Sequence, residues 1–316
     1  MQSSKELKAS KQAEQKYSGK GLVMGVISAD SIVLKHSGKE DPFDGIVHLA
    51  FVQAPRIGSS QRVEEPYAFE AREAIREKII GRKCSFTVQY QINGRRYLTL
   101  KVDDEDVASM LVSQGLAKPT DKRSSTEAGG PHEALLKLSE EPKAKNLGVW
   151  STEPKHLEKH TRQVVYFGES DYMPAKLLAE ANKEEKPLAA ILEHVFSASY
   201  VTLYVYRLQT VVKMSLLHLF TPQSTDKDIL EKGKAFLEKM LLHKTVGLKL
   251  ARVDESGSLV GRIFFPAGEI AAEILKSGYS KLSTPKDSNF DAAYYKELKQ
   301  AQMIGQTKRA GIWHDL

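Results

Sequence analysis

A chain of 316 residues, 41% hydrophobic and 27% charged, has the length and composition for two domains that each bury a core. Its net charge of +6 is shared evenly between the two halves, which excludes a histone-like basic arm and leaves nucleic acid open as a partner. A single cysteine, Cys84, excludes an intramolecular disulfide and a paired-cysteine zinc site, and without a run of eighteen apolar residues no membrane span is expected.

Residues 1–20 are polar and lysine-rich, lack the apolar stretch of a secretory signal, and form an N-terminal extension. Within it Ser3 and Glu6 fit a capping box, which predicts a short solvated helix. Residues 25–34 alternate around a small-residue bend and predict a curved hairpin strand; residues 46–52 predict a second strand ending ahead of Pro55. A helix is predicted over 65–80, closed by Gly81. Strands over 84–91 and 96–102 form a hairpin around Asn93-Gly94. Cys84 falls in the first of these and reads as buried filler rather than a nucleophile. Helices over 107–114 and 132–145 follow, the first stopped by Gly115.

Residues 153–187 form a structured connector, with a strand at 163–167 and a helix at Pro174–Ala181. The earlier order then returns: strands over 190–205, 211–219, 245–253 and 261–265, and helices over 227–242, 270–276 and 292–307. Landmarks return with it. Gly148-Val149-Trp150 recurs 163 residues later as Gly311-Ile312-Trp313, and Gly115 recurs at the same offset as Gly278. Val52-Gln53-Ala54-Pro55 matches Leu219-Phe220-Thr221-Pro222. One domain is therefore written twice, over 21–152 and 188–316, and each Gly-x-Trp ending is expected to plug its last helix onto a core. The element order predicts an α+β, mainly β class: two tandem OB-type five-stranded β-barrels with packed α-helices, the bent first strand counting twice.

Val26-Ile27-Ser28-Ala29-Asp30-Ser31, followed by His48-Leu49-Ala50-Phe51-Val52-Gln53-Ala54-Pro55, resembles the opening of a staphylococcal nuclease-like domain. Asn93-Gly94-Arg95 and the stretch from Leu111 to Ala117 continue that pattern. More specifically, Glu65-Pro66-Tyr67-Ala68-Phe69-Glu70-Ala71-Arg72-Glu73 with Ile80-Gly81-Arg82-Lys83 is similar to the first such domain of Tudor staphylococcal nuclease proteins, and residues 186–195 to the start of their second. The resemblance runs from about Gly21 to the end of the sequence. It leaves the family's later repeats and Tudor domain outside, so the chain reads as an N-terminal tandem.

That resemblance implies phosphodiester hydrolysis with one Ca²⁺ held by two aspartates, a glutamate base, and two arginines on the phosphate. The ion takes about six to eight oxygen ligands, the attacking water needs a base in reach, and the developing charge needs positive donors. Carried over residue by residue, Asp30 matches the first aspartate and Arg95 the second arginine, the remnants of a catalytic set. His48 stands for the first arginine, Gln53 for the second aspartate and Arg56 for the base. In the second copy the corresponding positions are Ser199, Ser215, Phe220, Gln223 and Ser258. Arg56 sets a cation beside the metal position and repels Ca²⁺, so no cofactor is expected unless a non-standard nuclease site exists. Asp103, Asp104, Glu105 and Asp106 are conceivable substitutes but read as an exposed turn.

The phosphate-holding half is better preserved. His48, Arg56, Arg95 and Arg96 fall on or beside the old pocket, where arginine forks suit phosphate oxygens; the alternative is a satisfied network in which Arg95 pairs with Asp30. Lys232 and Lys239, with His243, are spaced along one helix face and form either a nucleic-acid patch or a solvated surface. Tyr97, Tyr204 and Tyr206 either stack bases or pack the sheet. His156 and His160 are four apart, with no third metal ligand in view.

The leading expectation is an RNA-binding tandem of degenerate nuclease-like domains. The resemblance implies roles in RNA processing, RNA silencing complexes and transcriptional coactivation in cytoplasm and nucleus. Its implied partners are structured or double-stranded RNA and ribonucleoprotein or silencing-complex proteins, with no membrane. A metal-dependent endoribonuclease with a non-standard site and a protein-interaction scaffold are the alternatives.

Overall fold

A computed structural model describes residues 17–36, 45–120, 129–183, 185–222, 225–285 and 290–314. The Ser3–Glu6 capping box and position 223 lie outside these residues. Two compact units emerge, one comprising the chain up to Ile57 with Glu65–Thr161, the other Gly58–Glu64 with Arg162–Leu316. Within the second, Arg162 donates from Nε to the buried Glu64 Oε1 at 2.8 Å.

The first unit contains β1 (Ser18–Ser28), β2 (Ser31–His36), β3 (Gly45–Leu49), β4 (Val52–Gln53), α1 (Ala68–Ile79), β5 (Lys83–Ile92), β6 (Arg95–Val102), β7 (Glu105–Asp106), α2 (Val107–Ser113), β8 (Lys118–Pro119), α3 (Pro131–Ala144) and α4 (Pro154–Lys159). In the second are β9 (Val165–Tyr166), α5 (Pro174–Ala181), β10 (Leu188–Ser197), β11 (Tyr200–Val205), β12 (Thr210–Leu216), β13 (Leu219–Phe220), α6 (Lys227–Leu241), β14 (Thr245–Val253), β15 (Leu259–Phe265), β16 (Gly268–Glu269), α7 (Ile270–Lys276), β17 (Lys281–Leu282) and α8 (Ala292–Thr307).

Each unit closes a five-stranded barrel. Sheet order in the first is β3-β2-β1-β5-β6-β7, sealed by a parallel pairing of His48 with Tyr97 and Leu49 with Leu98. In the second, β15-β14-β10-β11-β12 is sealed the same way by Met214, Ser215 and Leu216 against Leu259, Val260 and Gly261. Closure leaves no free edge between these strands. The expected bent strand over 25–34 is a hairpin: β1 begins at Ser18, turns at Ala29-Asp30 and returns as β2. Bulges between Val23/Gly25 and Val26/Ser28 supply the bend, and the second barrel repeats them between Leu192/His194 and Val195/Ser197.

Strand alternation buries one row per strand, so Val23, Val26, Ile32, Leu34, Leu98 and Leu100 fill the first barrel. Helix α1 adds Ala71, Ile75 and Ile79, and it also buries two cations. Arg72 donates to the Val26 carbonyl at 2.9 Å beside the β1 bulge, and Arg76 forms a two-pronged pair with Glu73 at 2.7 Å. Cys84 is buried in β5, and loss of water around its sulfur pushes the thiol up to about 11. Native protein is therefore expected to resist thiol alkylation at mildly alkaline pH and to react once unfolded; rapid native labelling would contradict this burial.

The Gly-x-Trp endings are one-turn 3₁₀ segments at Gly148–Trp150 and Gly311–Trp313. They pass so close to the glycines that follow α2 and α7 that Val149 N–H bonds Gly115 O at 2.8 Å and Ile312 N–H bonds Gly278 O at 2.9 Å. The two indoles differ: Trp313 is buried as the sequence suggests, whereas Trp150 is not a core plug. Trp150 is half-buried outside the core cluster, beneath Lys118 at 4.8 Å, and Trp313 lies beneath Lys281 at 4.8 Å. Among the described residues no helix is long and apolar enough to cross a membrane.

Candidate nucleic-acid interface

The β1–β2 turn positions Asp30, and local geometry consumes its charge. One carboxylate oxygen accepts from Ser28 Oγ at 2.8 Å and Ser31 Oγ at 3.2 Å; the other accepts from Ala54 N–H at 3.0 Å, just past β4. Asp30 thus ties the first turn to the end of β4. Ser31 Oγ also lies 3.0 Å from His48 Nδ1, and with the serine proton on Asp30 the imidazole is the donor.

His48 begins an aromatic run. Its ring lies 5.2 Å from Tyr97, which stacks on Tyr90 at 4.8 Å, and the Tyr90 hydroxyl accepts from Phe51 N–H at 3.1 Å. Phe51 sits in the left-handed region at φ 64, a strained corner that this bond and Thr120 N–H on its carbonyl at 2.9 Å hold in place. Tyr90 was not singled out from sequence, yet the signal was present. Counting outward from Asn93-Gly94 pairs Ile92 with Arg95, Gln91 with Arg96 and Tyr90 with Tyr97.

Arg95 stands exposed at the hairpin tip, on the same face of β6 as Tyr97. It is close enough to His48 to act on its titration. Arg56 is exposed two residues beyond Ala54, in a loop closed by Arg56 N–H to Glu65 Oε2 at 2.8 Å and Glu65 N–H to Arg56 O at 3.0 Å. Among the described residues neither guanidinium is paired, and Arg95 makes no ion pair with Asp30. Arg96 is not gathered here: strand alternation turns it to the opposite face, half-buried and partnered.

His48 has its pKa lowered from 6.5, first by burial; Asp30 opposes this and Arg95 adds to it. Such a group binds fewer protons folded than unfolded, so it costs stability as the pH falls below 6.5 and costs nothing above. An NMR titration is expected to place its midpoint below 6.5, higher in Arg95→Ala and lower in Asp30→Asn; a midpoint insensitive to both substitutions would contradict this arrangement.

The remaining predicted positions are scattered. Lys232 is exposed on α6 and paired with Asp228 at 2.6 Å, and Lys239 is exposed in its last turn. His243 does not share that face: it lies past the helix end, buried, at φ 55 and 3.9 Å from Glu193. Tyr204 is buried with the Arg162 guanidinium 4.6 Å over its ring, so it packs rather than presents a surface. His156 and His160 do meet, with rings 4.7 Å apart, but on Tyr67 and Glu70: Tyr67 Oη lies 2.7 Å from His156 Nδ1, and His160 Nδ1 lies 2.8 Å from Glu70. In the acidic run, Asp103 pairs with Arg82 and Asp106 caps α2 through Ser109 N–H at 2.7 Å.

A model of the staphylococcal nuclease homologue family matches residues 46–152 and again 213–315. The chain belongs to that family. Similar proteins include Ribonuclease TUDOR 2 of Arabidopsis thaliana, 23% identical over 93% of this chain and 36% of its own length. Staphylococcal nuclease domain-containing protein 1 of Drosophila melanogaster is 24% identical over 93% and 33%, and its namesake in Schizosaccharomyces pombe is 26% identical over 85% and 32%. The chain therefore spans about a third of the length of these relatives.

Both nuclease-homologue units keep the family's frame, and the positions matched to its calcium site among the described residues lack the paired carboxylates. In the first, three hydrogen bonds already occupy Asp30, Gln53 offers no charge, and Arg56 brings a cation. In the second, strand register makes Ser199 the counterpart of Asp30 and Ser215 that of His48. A chain of hydroxyls replaces the carboxylate there, Ser199 to Thr221 at 3.2 Å and Thr221 to Ser280 at 3.2 Å. Among the described residues no group of three or more His, Cys, Asp or Glu side chains is placed to hold a metal ion. These residues do not fit Ca²⁺.

Proposed function

We propose that this tandem binds RNA without cleaving it, holding the phosphate backbone at Arg56 and Arg95 of the first unit with His48 and Tyr97 between. The observation that carries this reading is a pair of exposed guanidinium groups, unpaired among the described residues, with Arg95 beside an aromatic run and Arg56 just past the segment that Asp30 ties down as a structural carboxylate. Arginine forks match phosphate oxygens, and rings beside them suit unstacked bases. The similarity to Tudor staphylococcal nuclease proteins supports work in RNA processing, silencing or gene regulation, in cytoplasm and nucleus. A relative called a ribonuclease keeps hydrolysis as the second reading.

Incubating labelled structured RNA with the chain in Ca²⁺, Mg²⁺ or EDTA separates the two readings. The expected outcome is a retarded complex and intact RNA in all three conditions. Metal-dependent cleavage that disappears in Arg95→Ala would establish hydrolysis instead.

A further inference from the structure

The outer face of β10, β11 and β12 carries rings packed around a lysine. Phe196 is 43% exposed, with the His194 ring 4.6 Å away and the Tyr200 ring 5.1 Å away. Lys213 Nζ lies 4.9 Å over Phe167 and 5.5 Å over Phe196. Register explains the grouping, since Ser197 pairs with Tyr200 and His194 with Thr202, which in turn pairs with Lys213. Alternation then sends these side chains outward while Val195, Val201, Leu203 and Met214 fill the barrel.

The fold itself does not ask for this row. By the same register the first barrel carries Gly25, Ile27, Ser31 and Ile46 where the second carries His194, Phe196, Tyr200 and Lys213. Phe196 and Tyr200 also precede the 213–315 segment that matches the family. So the unit with Ser199 and Ser215 at the pocket positions carries aromatics and a cation on its sheet. The His194 pKa is lowered by burial and by Lys234 and Lys213, opposed by Glu238.

We propose that this face is a base-stacking site for single-stranded nucleic acid, with bases on Phe196 and Tyr200 and a phosphate on Lys213. The proposal rests on reading the chain as RNA-binding but uses a different surface from the Arg56–Arg95 site. A ring with an exposed face accepts any unstacked base, and a neighbouring lysine neutralises the backbone. Duplex bases have their faces covered and cannot use it.

Fluorescence anisotropy with a short labelled RNA, single-stranded or annealed to its complement, tests the idea on the whole chain. The double variant Phe196→Ile with Tyr200→Ser copies residues the first barrel already tolerates, and an unchanged melting temperature verifies folding. Its single-strand affinity is expected to fall about tenfold or more, with duplex affinity unchanged. Lys213→Gln is expected to reduce the salt slope of single-strand binding by about one. Equal losses on both RNAs, or no loss on either, overturn this site while leaving RNA binding intact. If the wild-type chain binds neither RNA, the proposed function fails and this site with it. Loss in the double variant but none in an Arg56→Ala, Arg95→Ala chain upholds this site and overturns the other.

Discussion

Gly311→Ala is expected to destabilise the second unit by about 2–5 kcal/mol, and Gly148→Ala the first by a similar amount, read as a fall in denaturation midpoint. Two costs combine. Both glycines hold left-handed backbone, φ 54 and φ 55, where a Cβ crowds its own carbonyl. A Cβ at Gly311 would also stand 2.2 Å from Gly278 O, and one at Gly148 2.0 Å from Gly115 O. Those contacts are with backbone, which cannot swing aside as a flexible side chain does. Gly94→Ala provides the contrast: at φ 75 it bears strain, but nothing lies within 4 Å of its added Cβ, so it should lose only the smaller conformational share. Equal, small losses at Gly94, Gly148 and Gly311 would show that the glycine crossing is not what locks each last helix in place.

Removing both guanidinium groups, Arg56→Ala with Arg95→Ala, is expected to cost roughly tenfold in RNA affinity per arginine at low salt. Each charge-assisted contact also releases counterions, so the double variant's plot of log affinity against log salt should be shallower by about two. Both side chains are exposed and unpaired among the described residues, so melting temperature should stay at the wild-type value. Arg96→Ala is the internal control, because Arg96 points to the other face of β6; its effect on affinity should be smaller. A double variant that binds as wild type at every salt concentration would move the interface away from this pocket.

Much of the fold was legible because alternation and turn chemistry are local. Helices Ile270–Lys276 and Ala292–Thr307, strand Thr245–Val253 and the short helix Pro174–Ala181 fall where their patterns place them. Asn93-Gly94 fixed a hairpin register that even locates Tyr90 against Tyr97. What stayed hidden depends on contacts between distant segments. The stretch before Gly21 did not announce a strand because Ser18, Gly19 and Lys20 earn their place by pairing with β5, as Ser18 does with Thr87. Nothing local in α1 marks Arg72 and Arg76 as core residues, yet both are buried by the partners they find, a β-bulge carbonyl and Glu73. Phe196, Tyr200 and Lys213 each look unremarkable alone, and only the lateral order of three strands makes them neighbours.

The candidate site divides along the same line. Residue identity was enough to see that Gln53 brings no carboxylate to the metal position and that Arg56 cannot serve as the base. It could not show that Asp30 is already occupied by Ser28, Ser31 and Ala54, nor that Arg95 leaves Asp30 alone. Those facts make Asp30 a structural tie within the depleted pocket.

On the function proposed above, this duplicated nuclease frame grips RNA through phosphate contacts rather than hydrolysing it. Affinity for a labelled structured RNA, measured across a salt series in Ca²⁺ with the RNA recovered and sized afterwards, tests it directly. The predicted result is a linear fall of log affinity with log salt and full-length RNA at every point. Binding that is absent at low salt, or RNA shortened in Ca²⁺, would contradict it.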